Sequence, residues 1–132
     1  MPPAENDDAN LDPLRDSLAL QHEAAALGFD WNHADELWAK LTEEIGELRE
    51  ACGQGEARVL DEFGDLLFVA INLSRHLGVE PARALAHANA KFRRRFGVVM
   101  AGRPQWDALQ GPARLDAMER LWQQAKREES SS

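Results

Sequence analysis

The segment KLTEEIGELREACGQGEARVLDEFGDLLFVAINL, residues 40–73, contains two helical patterns joined by a short turn with two glycines. Leu41, Ile45 and Leu48 follow the spacing of one helix face, and residues 66–71 are continuously apolar. A turn this short makes the two helices antiparallel neighbours. Because the second helix is apolar on every side along this run, the pattern predicts that it lies at the centre of an all-α bundle.

Composition and charge limit the class of protein. The chain has 132 residues, is 44% hydrophobic and carries a formal net charge of -8. Such an acidic chain is not expected to bind nucleic acid or an anionic membrane. Its one cysteine, Cys52, cannot form an internal disulfide and fits a reducing compartment. The sequence shows neither a signal-peptide pattern nor an apolar run of bilayer length, so we expect a cytoplasmic protein.

Helix-capping and helix-breaking residues predict the other helices. Asp12 followed by Pro13 indicates a helix start, and Gly28 indicates where that helix ends. Asn32 is expected to cap the second helix. Prolines open the last two helices, at Pro81 and Pro112. The result is a bundle of four or five antiparallel helices, with its site on the two central ones.

The expected domain organisation has three parts. Residues 1–11 are expected to be a flexible segment, residues 12–127 a single all-α domain, and residues 128–132 a flexible tail. A central helix that must be covered on all sides needs more neighbours than a short chain supplies. We therefore expect a homodimer whose interface completes the core.

Four carboxylates interrupt the apolar pattern of the two central helices. Glu44 and Glu47 share one helix face, with Lys40 one turn before them, and Glu62 and Asp65 share a face of the next helix. If the helices pack as predicted, these four acids can meet, and their mutual repulsion calls for protons or a cation. An all-oxygen ligand set suits Mg²⁺, Mn²⁺ or Ca²⁺. The alternative is an ordinary solvated acidic face.

A basic cluster and several polar or aromatic residues are further candidates. Lys91 and Arg95 share a helix face and suit phosphate, although a solvated face that pairs with neighbouring acids is the alternative. Trp31 lies in a loop, where an indole can cover a nucleobase. Asn72 lies on the same face as Asp65, where a ribose contact, a contact to metal-bound water and core hydrogen bonding all stay open.

Two acidic motifs in the opening segment resemble a family signature. EEIGE, residues 43–47, and EFGD, residues 62–65, resemble the EExxE…ExxD signature of the MazG-type nucleoside triphosphate pyrophosphohydrolases. The resemblance covers nearly the whole chain after about residue 18. Further stretches similar to the C-terminal catalytic domain of MazG proteins are GFDW (28–31), GDLLFVAINLSRHLG (64–78), ANAKFRRRF (88–96) and LWQQAKREE (121–129).

The resemblance implies a dimeric all-α enzyme that cleaves nucleoside triphosphates between the α and β phosphates, which would suit nucleotide-pool cleaning. It implies Mg²⁺, with Mn²⁺ as a substitute, on Glu44, Glu47, Glu62 and Asp65. Glu43 would support these ligands, and one of Glu43, Glu44 and Glu47 would take up the proton. The expected substrate-binding residues are Lys40, Asn72, Lys91, Arg95, Trp31, Trp122 and Lys126; among them the resemblance gives Lys91 and Arg95 to phosphate and Trp122 and Lys126 to the nucleotide.

The sequence also departs from the family pattern. MazG proteins carry two such domains, Asp61 stands where a glutamate is expected, and residues 97–111 match least. One alternative is a selective dUTP or dCTP pyrophosphatase of the same superfamily. The other is a non-catalytic helical dimer whose acids bind a metal or a basic partner.

Overall fold

The computed structural model describes residues 12–131 of the chain. These residues form α-helices without any strand, which confirms the all-α prediction. The predicted flexible segment over residues 1–11 lies outside the described residues. The helices are α1 (Pro13–Ala26), α2 (Ala34–Ala51), α3 (Glu56–His76), α4 (Pro81–Ala101) and α5 (Gly111–Ser130), with a short 3₁₀ helix at Arg103–Gln105.

Helix α1 begins and ends where its capping residues predict. The Asp12 carboxylate accepts a hydrogen bond from the backbone N–H of Leu14 at 3.1 Å, and Pro13 occupies the first helical position. After the helix, Gly28 adopts a φ of +97°, the left-handed conformation that favours glycine. These local interactions fix both ends of α1.

Helix α2 begins one residue later than predicted. His33, and not Asn32, is the residue that precedes its first turn. The Glu36 carboxylate accepts a hydrogen bond from the backbone N–H of His33 at 3.2 Å. This interaction satisfies a backbone donor at the helix start and explains the shifted boundary.

Helix α5 continues into the segment that the sequence assigned to a flexible tail, residues 128–132. The helix ends at Ser130. Glu129, in its last turn, forms ion pairs with Arg95 at 2.9 Å and with Arg94 at 3.4 Å, both on α4. Contacts that are distant in sequence therefore hold residues that look like a solvated tail by composition alone.

The chain divides after Ala84 into two compact units. In the first, α3 packs against both α2 and α1. Its core consists of Leu37, Val69 and Leu73, all buried. The prediction of a single domain over residues 12–127 stays a prediction.

The second unit contains the remainder of α4, the 3₁₀ helix and α5. Its core consists of Val99, Trp106, Ala117 and Leu121. The Trp106 indole N–H donates a hydrogen bond to the Val99 carbonyl at 2.9 Å, which satisfies the one polar atom of this ring.

Within the described chain α3 is not covered on every side, so the expectation that a second copy completes the core around it stays a prediction. Val69 and Ile71 are buried, but Leu67 is 53% exposed and Phe68 is 45% exposed. Helices α1 and α2 cover only the face of α3 that they contact. No helix among the described residues has the length and apolar character that a membrane crossing requires.

Candidate metal and nucleotide site

Helices α2 and α3 bring together the acids that the sequence singles out. Glu44 and Glu47 from α2 and Glu62 from α3 each offer a carboxylate oxygen, and these oxygens lie within 4.8 Å of one another. Glu62 also belongs to a second group of the same size, with Asp61 and Asp65. Glu62 is therefore common to both groups, and together the two groups contain all four predicted metal ligands.

Asp61 is an acid that sequence reasoning missed as a candidate ligand. It lies four residues before Asp65, and this spacing places both on one face of α3. Both side chains are exposed, whereas Glu62 between them is buried. The helical spacing was therefore a signal that could have identified Asp61.

Two of the grouped glutamates are buried with one oxygen unpaired. Glu44 is 4% exposed, and its Oε1 lies 3.3 Å from the Lys40 amine. Glu62 is 7% exposed, and its Oε1 lies 3.5 Å from Arg58. The Oε2 atom of each is buried and has no hydrogen-bond partner among residues 12–131. Buried carboxylate oxygens without partners are unfavourable, so this arrangement calls for a cation or a proton.

The electrostatics of Glu44 reflect this burial. Burial raises the pKa of the Glu44 carboxyl above its ordinary value, and the negative charges of Glu47 and Asp65 act in the same direction. The Lys40 amine opposes them. The hydrogen bond between Lys40 and Glu44 raises the pKa of the Lys40 amine, and the negative charge of Glu43 acts in the same direction.

Glu43 has a different environment from Glu44 and Glu47. It is exposed, and its carboxylate lies 3.5 Å from the Lys40 amine. It belongs to neither group of acids that could share a metal among the described residues. Its contact with Lys40 fits a supporting position beside the acids.

A cavity of about 520 Å³ adjoins the acids in the first unit. This volume lies within the range of roughly 300–1,000 Å³ that is typical of small-molecule sites. Three predicted substrate-binding residues line it, namely Lys40, Trp31 and Asn72. Its other lining residues are Leu20, Gln21, Ala24, Phe29, Asp30, Glu44, Asp65, Phe68, Val69 and Arg75.

A hydrogen-bond network fixes the loop that forms one wall of this cavity. Arg75 on α3 donates two hydrogen bonds to the Asp30 carboxylate, one of them 3.1 Å long, and a third to the Asn72 side-chain oxygen at 2.8 Å. The His76 Nε2 atom lies 2.9 Å from the same carboxylate. The Arg75 hydrogen bonds hold the pKa of Asp30 well below its ordinary range. The same carboxylate accepts a hydrogen bond from the backbone N–H of Trp31 at 2.7 Å, so the network also fixes the backbone at Trp31.

Comparison with known proteins identifies the family. Residues 14–92 match the family model described as phosphoribosyl-ATP pyrophosphohydrolase. The chain belongs to this family. The match includes α1 from its second residue onward and all of α2 and α3, and hence every residue that groups the acids and lines the cavity.

Individual relatives confirm the resemblance to the MazG-type nucleoside triphosphate pyrophosphohydrolases. The chain is 37% identical over 123 residues to a nucleoside triphosphate pyrophosphohydrolase of Escherichia coli K12. The aligned region covers 91% of this chain and 47% of the relative. It is 42% identical over 90 residues to a nucleoside triphosphate pyrophosphohydrolase/pyrophosphatase MazG of Thermotoga maritima, which covers 65% of this chain and 34% of that protein. The chain thus spans no more than about half the length of these curated relatives.

The remaining predicted substrate-binding residues, which the family resemblance suggested, belong to the second unit. Arg95 forms an ion pair with Glu129, and its guanidinium lies 5.7 Å from the centre of the Trp122 ring. Lys91 is partly buried on α4, and Lys126 is exposed on α5. The ion pair of Arg95 with Glu129 is what we expect if the basic cluster is a solvated face that pairs with neighbouring acids, which is the alternative to phosphate binding. Their roles toward a nucleotide stay predictions.

The donor set fits a hard divalent cation. All the grouped ligand atoms are carboxylate oxygens, and two of the glutamates each have an unpaired buried oxygen. Mg²⁺ and Mn²⁺ prefer such ligands, and Mg²⁺ typically binds carboxylates together with substrate phosphates. The residues present therefore fit the metal that the family resemblance implies.

Proposed function

We propose that this protein is a Mg²⁺-dependent nucleoside triphosphate pyrophosphohydrolase that cleaves between the α and β phosphates. The products would be a nucleoside monophosphate and pyrophosphate, and the role would be nucleotide-pool cleaning in the cytoplasm. One observation carries the proposal: a group of carboxylates on α2 and α3, two of them buried with unpaired oxygens, adjoins a cavity of nucleoside-binding size through Glu44 and Asp65. The similarity to relatives named as nucleoside triphosphate pyrophosphohydrolases supports the reaction.

Each group of residues has a role in this proposal. Glu44, Glu47, Glu62 and Asp65 would hold the metal. Mg²⁺ or Mn²⁺ bound there would polarise the phosphate oxygens and lower the pKa of water. Lys40 is positioned beside Glu44, so its charge would offset that of the phosphates. One of Glu43, Glu44 and Glu47 would accept the proton from water.

The cavity supplies the binding site for the nucleoside. Phe29, Trp31 and Phe68 line it, and aromatic rings of this kind can stack on a nucleobase. Asp30 and Arg75 hold Trp31 in place through the network described above. The apolar side chains of the wall would exclude water from a bound base, and the polar ones would orient it. The second-unit residues would add contacts to the nucleotide: Lys91, Arg95, Trp122 and Lys126.

A homodimer is part of the same proposal. On α3, three apolar side chains with the spacing of one helix face are exposed, namely Leu60, Phe63 and Leu67. A second copy of the chain that covered this face would bury them and complete the core around α3.

Product analysis tests the proposed reaction. The purified protein is incubated with Mg²⁺ and each common ribo- and deoxyribonucleoside triphosphate, and with phosphoribosyl-ATP because the matched family model carries that description. ³¹P NMR then identifies the products. We expect equal amounts of monophosphate and pyrophosphate from triphosphates, and no reaction in EDTA. Formation of diphosphate and orthophosphate, or cleavage without a divalent metal, would contradict the proposal.

Matched variants test the assigned site. Glu62→Gln should lower kcat/KM more than about 100-fold, because changes outside the ligand shell of metal enzymes already cost 10–100-fold. Glu50→Gln is the control, since Glu50 is exposed on α2 and lies outside both groups of acids. Cleavage confined to dUTP or dCTP would favour the selective pyrophosphatase. Metal binding without any cleavage would favour the non-catalytic dimer.

A further inference from the structure

Gln21 on α1 is a buried polar residue at the cavity wall. It is only 5% exposed and lines the cavity. Its amide nitrogen donates hydrogen bonds to the Phe68 carbonyl at 3.1 Å and to the Ser17 hydroxyl at 3.3 Å. A backbone carbonyl can only accept, so the atom that faces Phe68 must be the amide nitrogen. The orientation of the amide group is therefore fixed.

The other end of the same amide lacks a partner. The Gln21 Oε1 atom is buried and has no hydrogen-bond partner among residues 12–131. Most buried polar atoms in folded proteins are paired, and an unpaired one destabilises the free protein. A hydrogen-bond donor that enters the cavity with a ligand would remove this cost.

We propose that Gln21 is a base-specificity residue, whose Oε1 accepts a hydrogen bond from an N–H group of the bound nucleobase. This inference rests on the proposed function, because it assigns the cavity to the base of a nucleotide. Phe29 and Trp31 line the same cavity and can stack on that base.

The chemistry of Gln21 excludes the triphosphate as its partner. Phosphate oxygens are acceptors at neutral pH, and two acceptors repel each other. The amide nitrogen, which could donate to phosphate, is already bound to Phe68 and Ser17. The partner of Gln21 is therefore a donor on the nucleoside; we assign it to the base rather than to a ribose hydroxyl because the stacking residues Phe29 and Trp31 line the same cavity.

The same hydrogen bonds define the class of base that is selected. Because the amide nitrogen is occupied, Gln21 offers an acceptor and no free donor. It favours a base with an N–H group on its buried edge, such as the amino group of cytosine or adenine or the imide N–H of uracil. A base with only acceptors on that edge leaves Oε1 unpaired and is disfavoured.

Substrate pairs that differ in one donor test this inference. The pairs are CTP with zebularine triphosphate, which lacks the 4-amino group; ATP with purine riboside triphosphate, which lacks the 6-amino group; and UTP with 3-methyl-UTP. In the last pair a methyl group replaces the imide proton and adds bulk, so a fall there counts only if Gln21→Met removes it. For the preferred base, kcat/KM should fall at least about tenfold without the donor, as expected for one buried hydrogen bond. Ratios near one in all three pairs would overturn the inference.

A substitution links the preference to this side chain. Gln21→Met removes the acceptor and keeps a similar side-chain length. For the preferred base, it should bring the ratio of kcat/KM with and without the donor close to one. Gln54→Met is the control, because Gln54 is exposed in the turn before α3 and should leave the ratio unchanged. A ratio that persists in Gln21→Met would overturn the inference. If this variant fails to fold, the wild-type ratios still decide.

Binding measurements separate failure of this inference from failure of the proposed reaction. Calorimetric titration compares CMP, AMP and UMP with the same donor-free analogues as monophosphates. A donor preference in binding without any triphosphate cleavage would support the role of Gln21 and contradict the proposed reaction. Cleavage and binding without a donor preference would support the reaction and contradict the role of Gln21.

Discussion

Replacing Glu44 by glutamine should increase the free energy of unfolding of the metal-free protein. A carboxylate oxygen of Glu44 lies within 4.8 Å of those of Glu47 and Glu62. Two unit charges at that distance repel by about 1 kcal/mol in water and by roughly 3–4 kcal/mol at an effective dielectric constant of about 20. The Lys40 amine, 3.3 Å from Glu44, offsets part of this repulsion. We therefore expect a net gain of about 1–3 kcal/mol in Glu44→Gln.

Thermal unfolding in EDTA and in Mg²⁺ measures this effect. In EDTA at pH 7, the expected gain corresponds to a Tm increase of about 4–11 °C for a chain of this length. Mg²⁺ should raise the Tm of the wild type and have a smaller effect on Glu44→Gln, which has lost a ligand. Glu50→Gln should match the wild type in both conditions. A lower Tm for Glu44→Gln in EDTA, or an undiminished response to Mg²⁺, would refute the reasoning.

The pH dependence of the same variant gives an independent check. Burial raises the pKa of Glu44 in the folded protein above its ordinary value of 4.5. Between 4.5 and the raised pKa, the folded state binds more protons than the unfolded state, so the wild type loses stability as the pH rises through this window. Glu44→Gln lacks this loss. Its advantage in EDTA should be small at pH 4 and larger at pH 7; an advantage that does not change with pH would argue against a strained carboxylate.

Three further changes test other parts of the structure. Asp30→Asn should lower the free energy of unfolding at pH 7 by about 2 kcal/mol, because Arg75 loses a charged partner. Because the pKa of Asp30 is depressed in the folded protein, this difference between variant and wild type should shrink as the pH falls below about 3.8. Denaturant titrations at pH 7 and below pH 3.8 would measure it. Gly102→Ala should cost about 1–3 kcal/mol, because a Cβ would lie 2.6 Å from Leu121 Cδ1 in the second core; an unchanged melting curve would contradict this. Leu67→Glu should convert a wild-type dimer into monomers in sedimentation experiments, and a monomeric wild type would disprove the proposed dimer.

Local signals in the sequence predicted much of the fold. Helix starts and ends depend on interactions within one turn, so Asp12, Pro13 and Gly28 indicated the limits of α1 correctly. The grouping of acids was also predictable, because a short turn and helical spacing place Glu44 and Glu62 on facing helices. Both kinds of inference use contacts that are close in sequence.

Interactions between distant residues could not be read in the same way. Asp30 and Arg75 are 45 positions apart, and only the packed helices bring them together. The hydrogen bond from Gln21 to the Phe68 carbonyl spans 47 positions, so no local pattern singles out this glutamine. Hydrogen bonding within the protein was one of the roles left open for Asn72, but its partner Arg75 could not be identified from the sequence.

The apolar run on α3 shows a second limit of sequence patterns. Continuous hydrophobicity predicts burial without stating which neighbour supplies it. In the described chain Val69 is buried, whereas Leu67 stays half exposed. A single sequence cannot distinguish a face that the same chain covers from one that a second copy would cover.

Direct titration with Mn²⁺, followed by electron paramagnetic resonance of the free ion, tests most sharply whether the acids of α2 and α3 form a divalent-metal site. The wild type should bind Mn²⁺ saturably, and Mg²⁺ should displace it. Glu62→Gln should weaken binding at least about tenfold, whereas Glu50→Gln should bind like the wild type. Absence of saturable binding, or equal affinity in wild type and Glu62→Gln, would contradict the metal site and the hydrolytic mechanism built on it.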